Sequence, residues 1–136
     1  MKVLLVGAGG VGEAVVLLAD RYATPWLEKM VVADYNLPRA DEVVSKTKKP
    51  GRYPAERIDA SEKDEIVALA KKHGIDMILN ACAPQFNMPI FEGAFEAGCT
   101  YMDMAMSLSE KHPTDPYAKT HVKLGDLQYE QAKRWE

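Results

Sequence analysis

The sequence predicts an α/β fold, a doubly wound parallel sheet with helices on both faces in three αβα layers. Short apolar segments alternate with longer segments of helical period as far as residue 103. This alternation requires right-handed crossovers and therefore builds a parallel sheet. The first segment, residues 3–6 (VLLV), is apolar at every position, which is typical of a strand buried on both faces. The 136 residues are expected to form one domain, residues 1–136.

A glycine-rich segment, GAGGVG over residues 7–12, directly follows the first strand. It has the form G-x-G-x-x-G and precedes a helix predicted over residues 11–22, which is the context of a Rossmann-like dinucleotide site. The first glycine would allow a tight turn, the second would admit a pyrophosphate beside the backbone, and the third would let the helix pack on the strand. N–H groups at the helix start favour phosphate. The residues predicted to bind the cofactor here are Gly7, Gly9, Gly10, Val11 and Gly12. A glycine-rich turn without a ligand is the alternative.

The second strand, predicted over residues 29–34, supplies the other half of the dinucleotide fingerprint. It ends in Asp34, about 20 residues after the last glycine, where a carboxylate can bind the ribose hydroxyls. That carboxylate would repel a 2′-phosphate and so favours NAD. Arg39 leaves NADP open, because a guanidinium at the start of the second helix binds phosphate well. Tyr35 could stack on adenine or be an ordinary exposed loop residue.

The remaining elements continue the alternation. We predict a second helix that opens at residues 36–38 and ends at residues 48–51, a strand over residues 55–58, a third helix from Ser61 to His73, a strand over residues 75–79, a fourth helix capped by Asn87 and ended by Gly98, and a fifth strand over residues 99–103. After residue 103 the alternation breaks. The carboxyl ends of all these strands are predicted to meet at one edge of the sheet, where ligands bind.

Two of those strand ends carry further candidate residues. Asp59, at the end of the third strand with Ala60, could accept a hydrogen bond from the adenine amino group, or it could serve the start of the next helix. Ala81, Cys82 and Ala83 follow the fourth strand and are small, so backbone there could approach the ribose and nicotinamide closely. No histidine lies near Cys82 in the sequence, and we do not expect it to act as a nucleophile.

The end of the chain departs from the pattern. Residues 107–123 are polar, contain two prolines and lack a sustained period, which predicts a long loop of the kind that often has a function. A helical period returns from Gly125 and runs to the last residue. Trp135 there requires an apolar surface to pack against. We expect residue 136 to mark the boundary of a cut domain rather than a natural terminus.

Composition excludes several classes of function. The net charge is -3 and the sequence pI about 5.6, so a nucleic-acid surface is not expected. No apolar run approaches the ~20 residues that span a bilayer. The three histidines are not spaced along the chain as metal ligands are, so no metal site is expected. The two cysteines are expected to be free thiols. Because a core strand begins at residue 2, no signal peptide is expected and the protein is expected to be cytoplasmic.

Five short motifs occur in the same order as in a known family. They are GAGGVG at residues 7–12, VADYN at 32–36, IDAS at 58–61, NACAP at 80–84 and YMDMA at 101–105. In these motifs the chain resembles, over essentially its whole length, the N-terminal domain of the saccharopine dehydrogenase family. That family includes saccharopine reductases, carboxynorspermidine synthases and lysine 6-dehydrogenases.

The resemblance implies an oxidoreductase that acts on the C–N bond of an amino acid or a polyamine-type substrate. Hydride would pass between nicotinamide C4 and the carbon that bears a secondary amine or imine, with NAD or NADP as cofactor. Complete members carry a substrate-binding and dimerising domain after the cofactor domain. This chain lacks that domain, so it should bind cofactor without turnover, and the catalytic acid or base is not assigned. A small-molecule substrate and homo-oligomerisation are implied for the full-length enzyme only.

Three other classes share parts of the pattern. The nucleotide-sensing domains that gate potassium transporters resemble this chain in length, in the glycine motif and in the acidic end of the second strand, and they perform no chemistry. The proline-containing segment 84–89 and the loop over residues 107–123 favour an enzyme's cofactor half instead. Methyltransferases usually have the motif G-x-G-x-G. In this chain Val11 occupies the position of the last glycine, which disfavours that class. A flavoprotein would need a much longer chain.

Overall fold

A computed structural model describes residues 1–22, 25–104 and 106–136. One sheet contains five parallel strands, β1 (Lys2–Val6), β2 (Lys29–Asp34), β3 (Ala55–Arg57), β4 (Met77–Asn80) and β5 (Thr100–Asp103), in the spatial order β3-β2-β1-β4-β5. The connecting helices are α1 (Gly10–Arg21), α2 (Leu37–Ser45), α3 (Lys63–His73) and α4 (Asn87–Ala97). The predicted doubly wound αβα fold is confirmed.

The central strand β1 supplies side chains to both layers of the core. Val3 and Leu5 pack with residues of α1 and α2, whereas Leu4 and Val6 pack with residues of α3 and α4. All four are at most 2% exposed. Because both faces of the strand are covered by helices, apolar residues occupy every position rather than alternate ones.

The strand order reverses beside β1. The chain leaves β1 for β2 and β3 on one side, and then crosses to β4 and β5 on the other. Val6, the last residue of β1, pairs with Ala33 of β2 and with Asn80 of β4. The carboxyl ends of β1 and β4 therefore border a crevice at the switch point, which is where ligands bind in open sheets of this kind.

Helix α2 ends earlier than predicted, at Ser45 rather than at residues 48–51. The N–H groups of Lys46 and Thr47 donate to the carbonyls of Val43 and Val44, three residues back. Such tighter bonds close the last turn of a helix, so the helix has already ended when the chain reaches its proline.

Helices α3 and α4 begin differently from the prediction. Helix α3 starts at Lys63, because Ser61 hydrogen-bonds to Asp59 and does not cap the helix. Asn87 is the first residue of α4 and fully buried, while Phe86 occupies the cap position. The predicted capping role of Asn87 is therefore wrong, because its amide oxygen accepts a hydrogen bond from β4 instead.

The polar segment over residues 107–123 is not entirely a loop. It contains two short strands, β6 (Glu110–Lys111) and β7 (Thr120–Val122), which pair antiparallel in a small separate ribbon. Strands this short have no recognisable alternation of apolar and polar residues, which is why the sequence pattern did not predict them.

The last helical segment is broken. It forms a single turn of helix, α5 (Asp126–Tyr129), followed by a 3-10 turn over Ala132–Arg134. Trp135 packs on α4, with its ring centroid 4.9 Å from that of Phe91 and 5.4 Å from that of Phe95. Helix α4 thus supplies the apolar surface that the tryptophan requires.

Within residues 1–22, 25–104 and 106–136, no helix has both the length and the apolar character needed to cross a membrane. The same residues contain no group of three or more histidine, cysteine, aspartate or glutamate side chains placed to hold a metal ion. Both cysteines are free thiols: Cys99 is buried, and Cys82 is half-buried beside the crevice.

Candidate dinucleotide-binding site

The glycine turn is held tightly between β1 and α1. Gly7 has φ 101°, in the left-handed region that favours glycine, and its N–H donates to the carbonyl of Ala33 at 2.8 Å. A Cβ on Gly12 would lie 1.9 Å from the carbonyl oxygen of Gly7. Close contact between helix and turn therefore requires glycine at residue 12, as the motif predicts.

The space in front of the turn is open. A Cβ on Gly9 or on Gly10 would meet no atom of the described protein within 4 Å. The first N–H groups of any helix have no partner within the helix, and in α1, which begins at Gly10, no capping side chain binds them. An open cradle of N–H groups at the positive end of a helix fits a pyrophosphate. Val11 is in this first turn and is 53% exposed.

Asp34 joins the end of β2 to the glycine turn. Its Oδ2 accepts a hydrogen bond from the N–H of Ala8 at 2.7 Å, and its Oδ1 accepts one from the N–H of Asn36 at 2.9 Å. Each carboxylate oxygen has a second lone pair. The predicted ribose-binding residue therefore shapes the turn and can still accept hydrogen bonds from a ligand.

A cavity of about 280 Å³ lies at the switch point between the ends of β1 and β4. It is lined by Val6, Gly7, Gly9, Asp34, Tyr35, Ile58, Asp59, Ala60, Cys82, Ala83 and Phe86. The structure thus brings together most of the candidate residues. The candidates that do not line the cavity are Gly10, Val11, Gly12, Ala81 and Arg39.

Three apolar lining residues, Val6, Ile58 and Phe86, were not among the candidate site residues. Ile58 directly follows β3 and is 1% exposed, and Phe86 packs against the core layer on the α3 and α4 side. Ile58 could have been found from its place at the end of a strand, immediately before Asp59. Phe86 lies in a short 3-10 turn, Pro84–Phe86, that has no distinctive sequence pattern.

Tyr35 lies at the rim of the cavity. Its ring is stacked by the guanidinium of Arg57, which lies 4.9 Å from the ring centroid, and the residue is 67% exposed. Arg57 is held in turn by Glu65 at 3.3 Å. A stacked arginine orients the ring, since cations are attracted to aromatic faces. Stacking of Tyr35 on adenine stays a prediction.

Asp59 is engaged by the segment that follows it. Its Oδ1 accepts hydrogen bonds from the Oγ and the N–H of Ser61, at 2.6 and 3.0 Å. These bonds lower the pKa of the Asp59 carboxyl below its ordinary value. The carboxylate is therefore ionised at neutral pH and orders the turn before α3. A contact between Asp59 and adenine stays a prediction.

Cys82 faces the glycine turn. Its Sγ donates to the carbonyl of Val6 at 3.4 Å, and a Cβ on Gly7 would lie 3.0 Å from this sulfur. Burial, and then the charge of Asp34, raise the pKa of the thiol to about 11. The thiolate is the reactive form of cysteine, and the raised pKa keeps Cys82 protonated at neutral pH. That Cys82 is not a nucleophile stays a prediction.

A buried polar network holds the turn after β4. Asn80 is 1% exposed, and its Oδ1 accepts the N–H of Cys82 at 2.8 Å. Its Nδ2 donates to the Oδ1 of Asn87 at 2.8 Å and to the hydroxyl of Tyr101 at 3.1 Å. Asn80 thereby ties the cavity-lining turn to α4 and β5. Asn80 opens the segment expected at the crevice after the fourth strand, but it was not singled out as a site residue. A polar residue closing an otherwise apolar strand was the available signal.

We expect Asn80→Ala to lower the free energy of unfolding by about 2–4 kcal/mol, because it removes the acceptor of the Cys82 N–H and two hydrogen bonds that Asn80 donates inside the core, to Asn87 and to Tyr101. Urea unfolding followed by circular dichroism measures the change. The matched control is Asn36→Ala, since Asn36 is exposed and its side chain makes no cap hydrogen bond. Equal stabilities of the two variants would contradict this role of Asn80.

Arg39 lies beside the turn but outside the cavity. Its Nε donates to the carbonyl of Ala8 at 2.9 Å, and its guanidinium pairs with Glu42 at 2.8 Å and also with Glu13. The hydrogen bonds that Arg39 donates to Glu42 and Glu13 raise its pKa further. The cation that the sequence offered for a 2′-phosphate is thus paired with two carboxylates.

These features define a class: an α/β domain whose first glycine turn and strand ends are arranged to hold a dinucleotide. Residues 3–136 match the family described as "Saccharopine dehydrogenase NADP binding domain", and the chain belongs to this family. The resemblance predicted from the five motifs is confirmed. Family membership gives the ligand class of the domain as a nicotinamide dinucleotide.

Curated relatives are similar over part of their length. Carboxynorspermidine synthase of Vibrio alginolyticus is 27% identical over 115 residues, which cover 79% of this chain and 28% of the relative. Carboxyaminopropylagmatine dehydrogenase of Synechocystis is 27% identical over 104 residues, covering 76% of this chain and 25% of the relative. This chain therefore spans about a quarter of the length of these relatives.

Solved structures share the fold. Apo saccharopine dehydrogenase (L-Glu forming) of Saccharomyces cerevisiae matches with a TM-score of 0.60 and 20% identity, over 75% of this chain and 21% of that chain. A UDP-glucose-4-epimerase of Stenotrophomonas maltophila with bound NAD matches with a TM-score of 0.63 and 17% identity, over 98% of this chain and 47% of that chain. At these identities the likeness concerns the fold alone.

Proposed function

We propose that this chain is the cofactor-binding domain of an NAD-dependent oxidoreductase that transfers hydride to or from the carbon of a C–N bond. The substrate would be an amino acid or a polyamine-type compound. The curated relatives, a carboxynorspermidine synthase and a carboxyaminopropylagmatine dehydrogenase, carry names of this chemical type. A nucleotide-sensing module without chemistry is not favoured, because these relatives are named as enzymes.

The observation that carries the proposal is the cavity at the switch point. The turn at Gly9 and Gly10, with the start of α1, would hold the pyrophosphate. Asp34 would accept hydrogen bonds from the hydroxyls of the adenosine ribose, and the small residues Cys82 and Ala83 would leave room for the nicotinamide half. The fit rests on space that glycine leaves open and on a carboxylate that lines it.

The bound nicotinamide would accept or supply the hydride, while the protein orients it and moves the accompanying proton. The described residues that line the cavity offer little for proton transfer. Asp34 accepts two N–H groups, Asp59 is ionised and held by Ser61, and the Cys82 thiol has a pKa of about 11. The residues that bind the substrate, and the group that exchanges the proton, would therefore belong to another part of the full-length protein.

The preference for NAD over NADP rests on charge. Asp34 presents a carboxylate to the cavity, and Arg39 is paired with two carboxylates. The Asp34 carboxylate would repel a 2′-phosphate, and the phosphate would have to compete with two carboxylates for Arg39.

The test is a calorimetric titration of the chain with NAD and with NADP. We expect NAD to bind about tenfold more tightly, and Asp34→Asn to remove this preference because it removes the charge but keeps one oxygen acceptor. Asp64→Asn is the matched control, since it removes the same charge from a side chain that is 93% exposed. Failure of both nucleotides to bind would refute the proposal. Preference for NADP in the unaltered chain would refute the choice of cofactor alone.

Turnover is assayed with the same preparation. The assay contains NADH, an amino acid, and an aldehyde that forms an imine with the amino acid. We expect NADH to bind without being oxidised. Absorbance at the band of the reduced nicotinamide measures any oxidation. Oxidation by these 136 residues would mean that the proton-transferring group lies within the chain.

A further inference from the structure

Four charged side chains form a compact ion cluster between α1 and α2, hereafter the α1–α2 cluster. It consists of Glu13 on α1 and of Arg39, Glu42 and Lys46 on α2. The Nζ of Lys46 lies 2.7 Å from Glu13 and 2.7 Å from Glu42, and the guanidinium of Arg39 contacts the same two carboxylates. Two cations and two carboxylates thus neutralise one another.

The cluster is joined directly to the candidate ribose site through one residue. The carbonyl of Ala8 accepts a hydrogen bond from Arg39 Nε at 2.9 Å, and the N–H of Ala8 donates to Asp34 Oδ2 at 2.7 Å. Arg39 and Asp34 are therefore anchored to the two sides of the same peptide segment. A phosphate on the 2′-oxygen of a ribose bound by Asp34 would therefore approach the guanidinium of Arg39 as well as this carboxylate.

Glu13 and Glu42 differ in what they constrain. Glu42 lies on the same helix as its partners, at i,i+3 from Arg39 and i,i+4 to Lys46, so it moves with them. Glu13 lies across the interface, and its side chain is 23% exposed. It ties both cations to α1, and neither cation lines the cavity that Asp34 lines.

We propose that Glu13 is a specificity-determining residue for the cofactor: it engages Arg39 and Lys46 and so discriminates against a 2′-phosphate. The inference rests on the proposed dinucleotide site. It extends that site to Glu13, which lies on α1 directly after the glycine motif. Discrimination then has two components, repulsion by Asp34 and occupation of the nearby cations by Glu13. A free phosphate dianion would gain those cations only by displacing a carboxylate that is already bound.

The experiment is titration of Glu13→Gln with NAD and NADP, compared with the unaltered chain. We expect the ratio of NADP to NAD affinity to rise about three- to fivefold, because one carboxylate no longer competes with the phosphate for the two cations. The gain should shrink as salt is raised, since it comes from charges near the surface. Glutamine keeps the size of the side chain and one oxygen acceptor, but it replaces the other carboxylate oxygen with an NH2 donor and removes the charge, so it can no longer hold both cations.

A matched control removes the same charge from a distant ion pair. Glu92 pairs with Arg134 at 3.0 Å on α4, and Glu92→Gln is expected to leave the NADP to NAD ratio unchanged. A second variant, Glu13→Gln with Arg39→Gln, is expected to lose most of the gain, because it removes Arg39, the released cation that is hydrogen-bonded to Ala8 beside the candidate ribose site. Thermal unfolding by circular dichroism checks that each variant is folded.

Several outcomes overturn the inference. An unchanged ratio in folded Glu13→Gln, or an equal rise in Glu92→Gln, would show that Glu13 does not discriminate. A gain that survives Arg39→Gln but vanishes with Arg57→Gln would assign the discrimination to the arginine stacked on Tyr35. If the unaltered chain binds neither nucleotide, the proposed function itself fails. If it binds NAD and only the ratio is insensitive to Glu13, the proposed function stands and this inference alone falls.

Discussion

Gly12→Ala is expected to lower the free energy of unfolding by about 3–5 kcal/mol. The new Cβ would lie 1.9 Å from the carbonyl oxygen of Gly7 and 3.0 Å from its carbonyl carbon, both of them backbone atoms. No rotation of a flexible side chain can relieve that overlap, so α1 must move away from the turn. Urea unfolding followed by circular dichroism at the helical band measures the loss.

The sign of the effect makes this substitution informative. Glycine to alanine inside a helix ordinarily stabilises it by about 1 kcal/mol. A stabilised Gly12→Ala variant would therefore mean that the helix does not pack on the turn as described. Gly51→Ala is the control, since a Cβ there meets nothing within 4 Å. Its free energy of unfolding is expected to change by less than about 0.5 kcal/mol.

Gly9→Ala is expected to weaken NAD binding at least about tenfold while leaving stability nearly unchanged. The backbone of Gly9, with φ -66° and ψ -168°, suits alanine, and its Cβ would enter space that is free of protein atoms within 4 Å. That space is the one predicted for the pyrophosphate. Calorimetric titration gives the affinity, and thermal unfolding in the absence of nucleotide gives the stability.

The paired result distinguishes a ligand-facing glycine from a packing glycine in one motif. Undiminished NAD affinity in Gly9→Ala would mean that the pyrophosphate does not lie against Gly9. A large loss of stability in the same variant would mean that the turn is more crowded than the structure indicates. Gly51→Ala again serves as the control for both measurements.

The sheet and its layers were predictable because they rest on local periodicity. The run VLLV in β1 indicated burial on both faces, and the boundaries of β2, Lys29–Asp34, follow from its apolar run and its terminal carboxylate. Helix α3 ends at His73 as predicted, and the glycine after it, Gly74, takes the left-handed conformation that is common at a helix end. In each case the residues that decide the structure are neighbours in the chain.

The errors concern residues whose role depends on distant partners. Asn87 has a strong local preference for capping, but a donor from Asn80 outweighs it inside the core. The pairing of Arg39 with Glu13 was likewise not predicted, because the two residues lie on different helices and nothing near Arg39 in the sequence indicated it. A contact of Arg39 with a 2′-phosphate stays a prediction. The break between α5 and the following 3-10 turn accompanies the packing of Trp135 on α4, another contact that periodicity does not encode.

The two backbone N–H groups bound by Asp34 restrict how the cofactor preference of this domain can be engineered. One of them belongs to Ala8 in the glycine turn, and the other belongs to Asn36 at the entry to α2. Exchanging the aspartate for a small neutral residue would admit a 2′-phosphate but would also release the turn that any dinucleotide needs. Redesign that begins on the facing surfaces of α1 and α2, and leaves Asp34 in place until those surfaces have been adapted, avoids this conflict between selectivity and scaffold.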